Sequence, residues 1–436
     1  MKRTIIYTIT GIICFAMSFN WSFLVKKTRE RWDSNKTTSI NMTPINATFI
    51  NPLLINATPI STTLINATAA RSAAIKAKAL AEAKAKVKNI TISRVPLKKV
   101  PFTLLPGWEK ADLSNSLSAF QTSCKIFLKQ KPTHPVGPHY LKLKAKDWHP
   151  ACNAALAIES LSDSAARTFF EKWFHPIEFA KQQPRRSLFT GYYMPQLKGS
   201  LTRTKKYNTP IYGLPQSLKW GHQYTRREID RGALSNKAPV LAWINSPVER
   251  AFLEIEGSGV IRLPSGKSLY LSYAGENGAH YTSISKVLIN QGIMNRNNAS
   301  KKAITSYLKD HPQRVSTILH QNKSFVFFQN LKQPVALGAQ DINLTPGYSL
   351  AIDRKWIPLG APLWLATKKP IEQSNKDKKF ERLMIAQDTG GAIRGMVRGD
   401  VYWGAGKKAQ FLGEHMKTHG RFWMLLPKHF FARLSM

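Results

Sequence analysis

The chain has 436 residues, which is enough for two or three domains of ordinary size. A content of 43% hydrophobic and 10% aromatic residues excludes a wholly disordered protein, and three cysteines exclude a disulfide-built mini-protein or a cysteine-rich zinc module. Lysine and arginine number 64 against 25 aspartates and glutamates, which gives a formal net charge of +39. That charge favours an anionic partner, such as a membrane face, a nucleic acid or an acidic cell-wall polymer.

Residues 1–24 predict a membrane anchor or a signal segment. Lys2 and Arg3 precede an apolar stretch over residues 4–24, which is about the length that crosses a bilayer as a helix. The stretch has no convincing small-residue cleavage site, so we favour an anchor. More basic residues follow the stretch than precede it, and the positive-inside rule then argues against export of the rest of the chain.

Residues 25–98 predict a low-complexity basic tether. The tetrapeptide Ile-Asn-Ala-Thr recurs at 45–48, 55–58 and 65–68, and the segment lacks the aromatic residues of a packed core. Residues 69–88 are rich in alanine and lysine, a composition that forms helices, yet they carry no apolar stripe. We interpret this part as a spacer with a positive face, and a nucleic-acid-binding arm is the less favoured interpretation.

From residue 101 onward the composition is that of a globular protein. Apolar residues at helical spacing predict helices over 113–128, 151–181, 284–291 and about 301–319. Short apolar segments between glycines and prolines predict strands over 240–244, 251–256, 324–328, 349–352, 363–366, 383–386 and 422–426. So many short strands favour barrels over an α/β layered fold.

Two cysteines lie on separate predicted helical segments. Cys124 and Cys152 are 28 residues apart in the chain. In an oxidising compartment they could form a bridge worth about 3–4 kcal/mol through loop-closure entropy. In the cytosol they would be two buried thiols, and the residues alone leave both readings open.

Three aspartates begin or end predicted strands and form the densest candidate site. They are Asp353, Asp388 and Asp400, and Gly390 and Gly391 follow the second of them. If the three converge, burial and mutual repulsion would raise the pKa of at least one carboxyl, which is what a general acid at neutral pH requires. The alternative is that an aspartate near glycine caps a turn and stays ionised in solvent.

A second pair of carboxylates competes with the aspartates. On the predicted strand 251–256, Glu254 and Glu256 would lie on one face, about 6–7 Å apart. That separation overlaps the spacing of inverting glycosidases, although any half-exposed strand can alternate in this way. The sequence has no His-Glu-x-x-His motif and no serine-hydrolase elbow, so neither a zinc enzyme nor a serine hydrolase is expected.

Several of these segments, taken in order, resemble the MltA family of membrane-bound lytic murein transglycosylases. The resemblance covers residues from about 124 to 427. It rests on Phe189-Thr190-Gly191-Tyr192-Tyr193, on Tyr224-Thr225-Arg226-Arg227-Glu228-Ile229-Asp230, on Glu256-Gly257-Ser258-Gly259 and on Asn277-Gly278. Its C-terminal part looks like the 3D domain, which is named for three aspartates, here Asp353, Asp388 and Asp400.

The resemblance implies a mainly β fold with some helices. A double-psi β-barrel would be built from residues 99–195 and 334–436, the latter being the 3D part. A smaller β-domain, residues 196–333, would be inserted between them, with a groove between the two domains. The activity implied is non-hydrolytic cleavage of the β-1,4 bond from N-acetylmuramic acid to N-acetylglucosamine, which leaves a 1,6-anhydro ring.

The resemblance also implies roles for single residues. Asp400 would be the catalytic acid and base, and Asp388 and Asp353 would support it. The residues expected to contact the glycan are Tyr192, Tyr193, Glu256, Gly257, Ser258, Gly259, Gly390, Gly391, Trp403 and Gly404. Met194 and Glu256 depart from the family pattern, in which an acidic residue and a glutamine are usual, so the glycan contacts and the rate are in question rather than the type of reaction.

No cofactor and no metal are expected. The partners implied are peptidoglycan glycan strands and the membrane, reached through the N-terminal helix, with other cell-wall enzymes as candidates and no nucleic acid; the protein would be a monomer. The family supports export to the periplasm against the charge bias, and with it a Cys124–Cys152 disulfide. Two alternatives stay open: a non-catalytic glycan- or nucleic-acid-binding module on a membrane tether, and a hydrolase that uses Glu254 and Glu256.

Overall fold

A computed structural model describes residues 62–93, 95–180, 184–216, 224–374 and 376–434. The expected membrane segment, residues 1–24, and the first part of the expected tether lie outside these ranges. Within them, none of the helices combines the length and the apolar character that a membrane crossing requires.

Helices flank the strands along the whole described chain. Their bounds are α1 Thr62–Ala85, α2 Ser114–Lys129, α3 His149–Leu156, α4 Asp163–Trp173, α5 Arg226–Asp230, α6 Pro247–Glu256, α7 Ile284–Asn290, α8 Lys301–Asp310, α9 Val315–Leu319, α10 Lys407–His415 and α11 Lys428–Leu434. The sequence explains helix α4 locally. Ser162 caps its N-terminus by accepting a hydrogen bond from the Ala165 N–H at 3.1 Å, and Phe169 and Phe170 form its buried apolar face.

The strands form two separate sheets. Their bounds are β1 Lys88–Ile92, β2 Val95–Lys99, β3 Phe174–Phe179, β4 Leu188–Met194, β5 Gln196–Ser200, β6 Thr209–Tyr212, β7 Val240–Ile244, β8 Ser258–Arg262, β9 Ser268–Glu276, β10 Val326–Leu331, β11 Ser349–Ile352, β12 Pro362–Pro370, β13 Asp377–Asp388, β14 Arg398–Ala405, β15 Lys417–Thr418 and β16 Arg421–Pro427. The larger sheet has ten strands in the order β1-β2-β3-β16-β12-β13-β11-β14-β4-β15, and the smaller has six in the order β10-β9-β8-β5-β7-β6.

The smaller sheet interrupts the larger one in sequence. The chain leaves the large sheet after Met194, builds all six strands of the small sheet, and returns at Ser349. With so many helices, the architecture is mixed α and β rather than mainly β. The double-psi barrel stays a prediction, although strands of both its expected segments do lie together in the ten-stranded sheet.

Four predicted elements differ from the observed ones. The expected helix at about 301–319 is two helices, α8 and α9, separated by the 3-10 turn Pro312–Arg314. The expected tether ends earlier than residue 98, because β1 and β2 join the large sheet and Leu97 is buried there. The expected helix 151–181 breaks after Leu156, and its last part is strand β3. The expected strand 251–256 is wrong: helix α6 begins after the capping Ser246 with Pro247 in its first turn and ends at Gly257, whose φ is +71°.

Cys124 of α2 and Cys152 of α3 form a disulfide bridge, with their Cα atoms 5.0 Å apart. The bridge lies in the core between the helices and the large sheet, next to the stacked rings of Phe127 and Trp148, whose centroids are 4.7 Å apart. It ties together the helical layer that covers β13, the strand that ends in Asp388.

Candidate active site

Two of the three aspartates lie in one row across the large sheet. Ala351 of β11 pairs with Asp388 of β13 on one side and with Asp400 of β14 on the other, and Asp400 pairs in turn with Thr190 of β4. Side chains in one row of a sheet project from the same face, and strands that flank a common neighbour are about 10 Å apart. The register of β11 against β13 shifts between Leu350 and Ala351, so no residue of β11 lies directly opposite Gln387. This shift brings Asp388 opposite Ala351 and so into the row.

Asp400 is held by a threonine and an arginine. The Thr190 hydroxyl donates to its Oδ1 at 2.7 Å, and Arg398 Nη2 donates to the threonine oxygen at 2.9 Å and lies 3.9 Å from Asp400 Oδ2. Burial raises the pKa of Asp400, and the Arg398 charge and the Thr190 hydrogen bond lower it by less. The net result is a carboxyl that keeps its proton at a higher pH than an ordinary aspartate does.

Asp388 has its own set of donors. Tyr192 Oη donates to Oδ2 at 2.7 Å and the Thr389 N–H donates to Oδ1 at 2.8 Å. Burial raises the pKa of Asp388 to about 6, despite these hydrogen bonds, and the charge of Asp400 adds to the rise. The repulsion that the sequence predicts between converging aspartates is therefore present for this pair.

Asp353 has a different environment, at the end of β11. Its side chain is buried and accepts hydrogen bonds from the Gly395 N–H at 2.8 Å and the Lys355 N–H at 3.0 Å. Gly395 belongs to the loop that joins Asp388 to Asp400. Asp353 therefore fixes the backbone between the other two aspartates.

The aspartates line a large cavity, of about 1910 Å³, that residues of both sheets enclose. This exceeds the usual size of a small-molecule pocket and suits a polymer. Of the expected glycan contacts, the lining includes Tyr192, Glu256, Gly257, Ser258, Gly390 and Gly391. Ser258 is only 3% exposed, and its buried Oγ has no hydrogen-bond partner among the described residues.

Four expected glycan contacts do not line the cavity. Strand alternation turns Trp403 away from Asp400, and its ring packs against Gly191 and Phe380. Gly404 has φ +85° and lies against Pro346, while Gly259 packs against Leu253. The Tyr193 ring points away from the cavity as well, and its Oη donates to Glu414 at 2.8 Å.

The pair Glu254 and Glu256 does not have the geometry expected of a strand. Residues two apart on a helix lie about 200° apart around its axis, so the two carboxyls of α6 face different ways. Glu254 is buried in ion pairs with Arg226 and with Arg250, whose Nε lies 3.4 Å away. Two arginines that neutralise it leave no pair of facing carboxylates for a hydrolase.

Sequence reasoning missed the residues that hold Asp400. Thr190 lies within the Phe189–Tyr193 motif and Arg398 precedes Asp400 by two residues, so alternation along β14 could have placed Arg398 on the same face. The contact with Thr190 depends on the parallel pairing of β4 with β14, which are about 200 residues apart, and no local pattern reveals it. Within the described residues, no group of three or more His, Cys, Asp or Glu side chains could hold a metal.

Two family models and several known proteins match this chain. The "MltA specific insert domain" family matches residues 188–329, and the "3D domain" family matches residues 348–426. The membrane-bound lytic murein transglycosylase A of Escherichia coli K12 is 39% identical over 241 residues, which are 54% of this chain and 65% of that protein, just under two thirds of the relative's own length.

Solved structures extend the likeness. MltA from Neisseria gonorrhoeae aligns with a TM-score of 0.64 at 31% identity, covering 78% of this chain and 94% of that one. E. coli MltA with bound chitohexaose aligns with a TM-score of 0.56 at 28% identity, covering 74% of this chain and 90% of that one. The chain therefore belongs to the MltA family, with an MltA-specific insert and a C-terminal 3D domain.

Proposed function

We propose that this protein is a lytic transglycosylase that cleaves the β-1,4 bond from N-acetylmuramic acid to N-acetylglucosamine in peptidoglycan without consuming water. Family membership supports the proposal, as do the names of the relatives and the chitohexaose bound to the E. coli protein. The observation that carries it is the Asp400 carboxyl, which has a raised pKa and lines a cavity of about 1910 Å³.

Asp400 acts first as an acid and then as a base. Its proton passes to the glycosidic oxygen as the bond from that oxygen to C1 breaks. The C6 hydroxyl of the muramyl residue then attacks C1, and its proton returns to the Asp400 carboxylate. The products are a 1,6-anhydro end and a free hydroxyl, so atoms balance without water, and one carboxyl does the work that most glycosidases divide between two.

Neighbouring groups prepare Asp400 for both roles. Burial raises the pKa of Asp400 and so favours its protonated form, and Arg398 stabilises the carboxylate that forms once the proton has left. Asp388 lies in the same row, and the charge of Asp400 raises the pKa of Asp388. Asp353 orients the loop between the two, which carries Gly390 and Gly391 along the cavity wall.

The setting that we propose is the bacterial cell envelope. The relatives are named as membrane-bound, and the apolar residues 4–24 would anchor this chain with its folded part in the periplasm. Its partner would be the glycan strand, bound by a monomer through Tyr192, Glu256, Gly257, Ser258, Gly390 and Gly391. We propose neither a cofactor nor a nucleic acid as a partner.

The test is digestion of purified peptidoglycan sacculi by wild-type protein and by Asp400→Asn. Mass spectrometry distinguishes the anhydro product from the hydrolytic one, which is heavier by one water. We expect anhydro-muropeptides from the wild type, none from Asp400→Asn, and binding of both to sacculi. Asp377→Asn, an exposed aspartate at the far end of β13, is the matched control and should keep full activity.

Three outcomes would overturn parts of the proposal. Anhydro product from Asp400→Asn would remove the role of that residue. A product one water heavier would show a hydrolase, and binding without any product from the wild type would point to a glycan-binding module instead.

A further inference from the structure

Lys301 begins helix α8, beside the cavity, and joins residues from both sheet regions. Its Nζ donates to Tyr193 Oη at 2.8 Å, lies 3.6 Å from Glu414 Oε1 and lies 3.9 Å from Glu256 Oε1. We call Lys301, Tyr193, Glu256 and Glu414 the Lys301 cluster. Tyr193 closes the cluster by donating from Oη to Glu414 Oε1 at 2.8 Å.

The Lys301 cluster is bonded to strand β4, which also contacts Asp388 and Asp400. The N–H of Tyr193 donates to Glu256 Oε2 at 3.1 Å, so the end of α6 is bonded to the backbone of β4. On β4, Thr190 binds Asp400 and Tyr192 binds Asp388. A displacement of α6 relative to β4 would therefore change how the cavity wall faces both carboxyls.

The cavity wall itself continues from the cluster. Glu256 is followed by Gly257 and Ser258, and all three line the cavity. Gly257 has φ +71° and nothing within 4 Å of where a side chain would begin, so no packing of its own fixes this turn. The Gly257 N–H donates to Leu253 O at 3.0 Å and Ser258 pairs with Ser272 of β9, and these contacts fix the turn beside the smaller sheet. The contacts of the turn to β4 run through Glu256, which accepts from the Tyr193 N–H and pairs with Lys301.

Charge shows why one ammonium group matters here. Among the described residues, Lys301 is the only basic side chain in an ion pair with either Glu256 or Glu414. The Lys301 charge also lowers the pKa of Glu249 on α6. The charges of Asp400 and Glu414 both raise the pKa of Glu256. Without Lys301, Glu256 and Glu414 would repel each other and would have no ion-pair partner among the described residues.

Packing fixes the ammonium group in this position. Lys301 Nζ lies 4.8 Å from the centre of the Tyr193 ring and 5.4 Å from that of Phe252, and its side chain is 26% exposed. This partly buried arrangement is screened less by salt than a surface ion pair would be.

We propose that Lys301 is a positioning residue for the reaction: it holds the Glu256–Ser258 wall of the cavity against strand β4 and so presents the glycan to Asp400. This inference rests on the function proposed above. Lys301 touches neither the reacting bond nor Asp400, and it acts through Glu256 and Tyr193.

The kinetic test compares Lys301→Met, Lys301→Arg and the control Lys302→Met on soluble glycan strands. Lys302 is the exposed neighbour on α8 and takes part in no ion pair among the described residues. We expect Lys301→Met to lower kcat/KM about tenfold, mainly through KM, as for the loss of one charge-assisted contact. Lys301→Arg should recover most of the loss, and Lys302→Met should match the wild type.

A binding test separates positioning from general stability. Burial raises the pKa of Glu256 to about 7, and Lys301 lowers it. In an Asp400→Asn background, affinity for chitohexaose should therefore change with pH as Glu256 titrates against Lys301, the Tyr193 N–H and Glu414. Adding Lys301→Met should move that transition to higher pH, and adding Glu256→Gln should abolish it.

The inference is wrong if Lys301→Met keeps the KM of Lys302→Met and leaves the pH transition in place. Should Lys301→Met fail to fold, Glu414→Gln removes the opposite partner of the ammonium group and should raise KM in its place. An unchanged KM in that variant would also contradict the proposal. Because chitohexaose binding needs no turnover, failure of the transglycosylase assignment would show in the Asp400→Asn digest and not in this titration.

Discussion

Thr190 and Arg398 lower the pKa of Asp400 and so limit how firmly that carboxyl holds its proton. Thr190 donates to Asp400 at 2.7 Å while it accepts from Arg398 at 2.9 Å, so the threonine passes the influence of a cation to the carboxylate. Both groups stabilise the ionised form, which the reaction reaches only after the proton has left. Their effect is to limit, and not to cause, the rise in the pKa of Asp400.

Replacing Thr190 by valine, which has nearly the same shape, tests this balance. Because the hydroxyl lowers the pKa of Asp400, its loss should raise that pKa and move the alkaline limb of the kcat/KM profile to higher pH. The maximal rate should fall about tenfold, since a hydrogen bond to a charged group is worth about 1.5–3 kcal/mol. Thr190→Ser keeps the hydroxyl and should follow the wild-type profile. Coincident alkaline limbs for the two variants would show that the hydroxyl does not tune Asp400.

Asp388 should make the folded protein less stable at neutral pH than at acid pH. Its pKa of about 6 in the folded protein exceeds the ordinary 3.8, so its stabilising contribution is complete below the lower value and is lost as pH rises through the higher one. Asp388→Asn has no such loss. The free energy of unfolding, variant minus wild type, should therefore rise by about 1–3 kcal/mol from about pH 4 to about pH 7.

Urea titrations at a series of pH values measure that difference. Asp377→Asn, on the same strand but exposed, should give a flat line over the same range. A flat line for Asp388→Asn as well would mean that the buried carboxyl ionises without cost in the folded protein. Such a result would also weaken the case for a raised pKa at Asp400, which lies in the same row.

The residue types of the site were predictable, and most of their partners were not. Aspartates at strand ends beside glycines indicated Asp353, Asp388 and Asp400 from the sequence alone. Thr190 and Lys301 acquire their roles through strand pairing and helix docking over distances of 108 to 210 residues along the chain. Those contacts depend on the whole fold, whereas sequence patterns report on local spacing.

Among the elements, α6 shows that helix-capping residues outweigh strand-like alternation of apolar and polar residues. Alternating Leu253, Glu254, Ile255 and Glu256 suggested a strand, but Ser246 and Pro247 specify a helix start and Gly257 a helix end. The capping residues decide the element here. The ten residues between Ser246 and Gly257 are enough for nearly three helical turns, so a helix can form between the two caps. The consequence is chemical: Glu254 becomes part of a buried arginine network, and Glu256 becomes part of the cavity wall.

The bridge between α2 and α3 should contribute to stability through chain entropy. It closes a segment of 28 residues, for which the loop-closure relation gives about 3–4 kcal/mol. The double variant Cys124→Ala with Cys152→Ala should unfold at a correspondingly lower urea concentration, and the oxidised wild type treated with a reductant should approach it. Cys14→Ala, which lies outside the bridge, is the control. Equal midpoints for the wild type and the double variant would show that packing alone fixes the two helices.

On the scale of the whole chain, the sequence patterns underestimated the helical content. The resemblance divides the chain at about residues 195 and 334, and that division stays a prediction; in the structure the chain leaves the ten-stranded sheet after Met194 and returns at Ser349. The unexpected helix lies in segments such as α5, α6 and α10, whereas α3 and α4 fall within the expected helix 151–181. Short apolar runs between glycines and prolines fit either state until their capping residues are weighed.

The distribution of charge predicts how the protein meets its polymer. Helix α1 exposes Lys76, Lys78 and Lys84, and Lys86 follows it, while none of the four lines the cavity. If the peptides of the cell wall supply anionic groups, this helix should strengthen binding to sacculi through screened, long-range attraction and leave catalysis unaffected. Changing the four lysines to glutamine, a residue that also favours helix, should weaken sacculus binding at about 50 mM NaCl. The decline of binding toward about 500 mM NaCl should also be flatter than that of the wild type.

Co-sedimentation in the Asp400→Asn background measures the binding. Turnover of soluble glycan strands by the four-lysine variant should equal that of the wild type. A salt dependence equal to the wild type's would place the attraction elsewhere on this chain, whose net charge of +39 leaves many other basic residues.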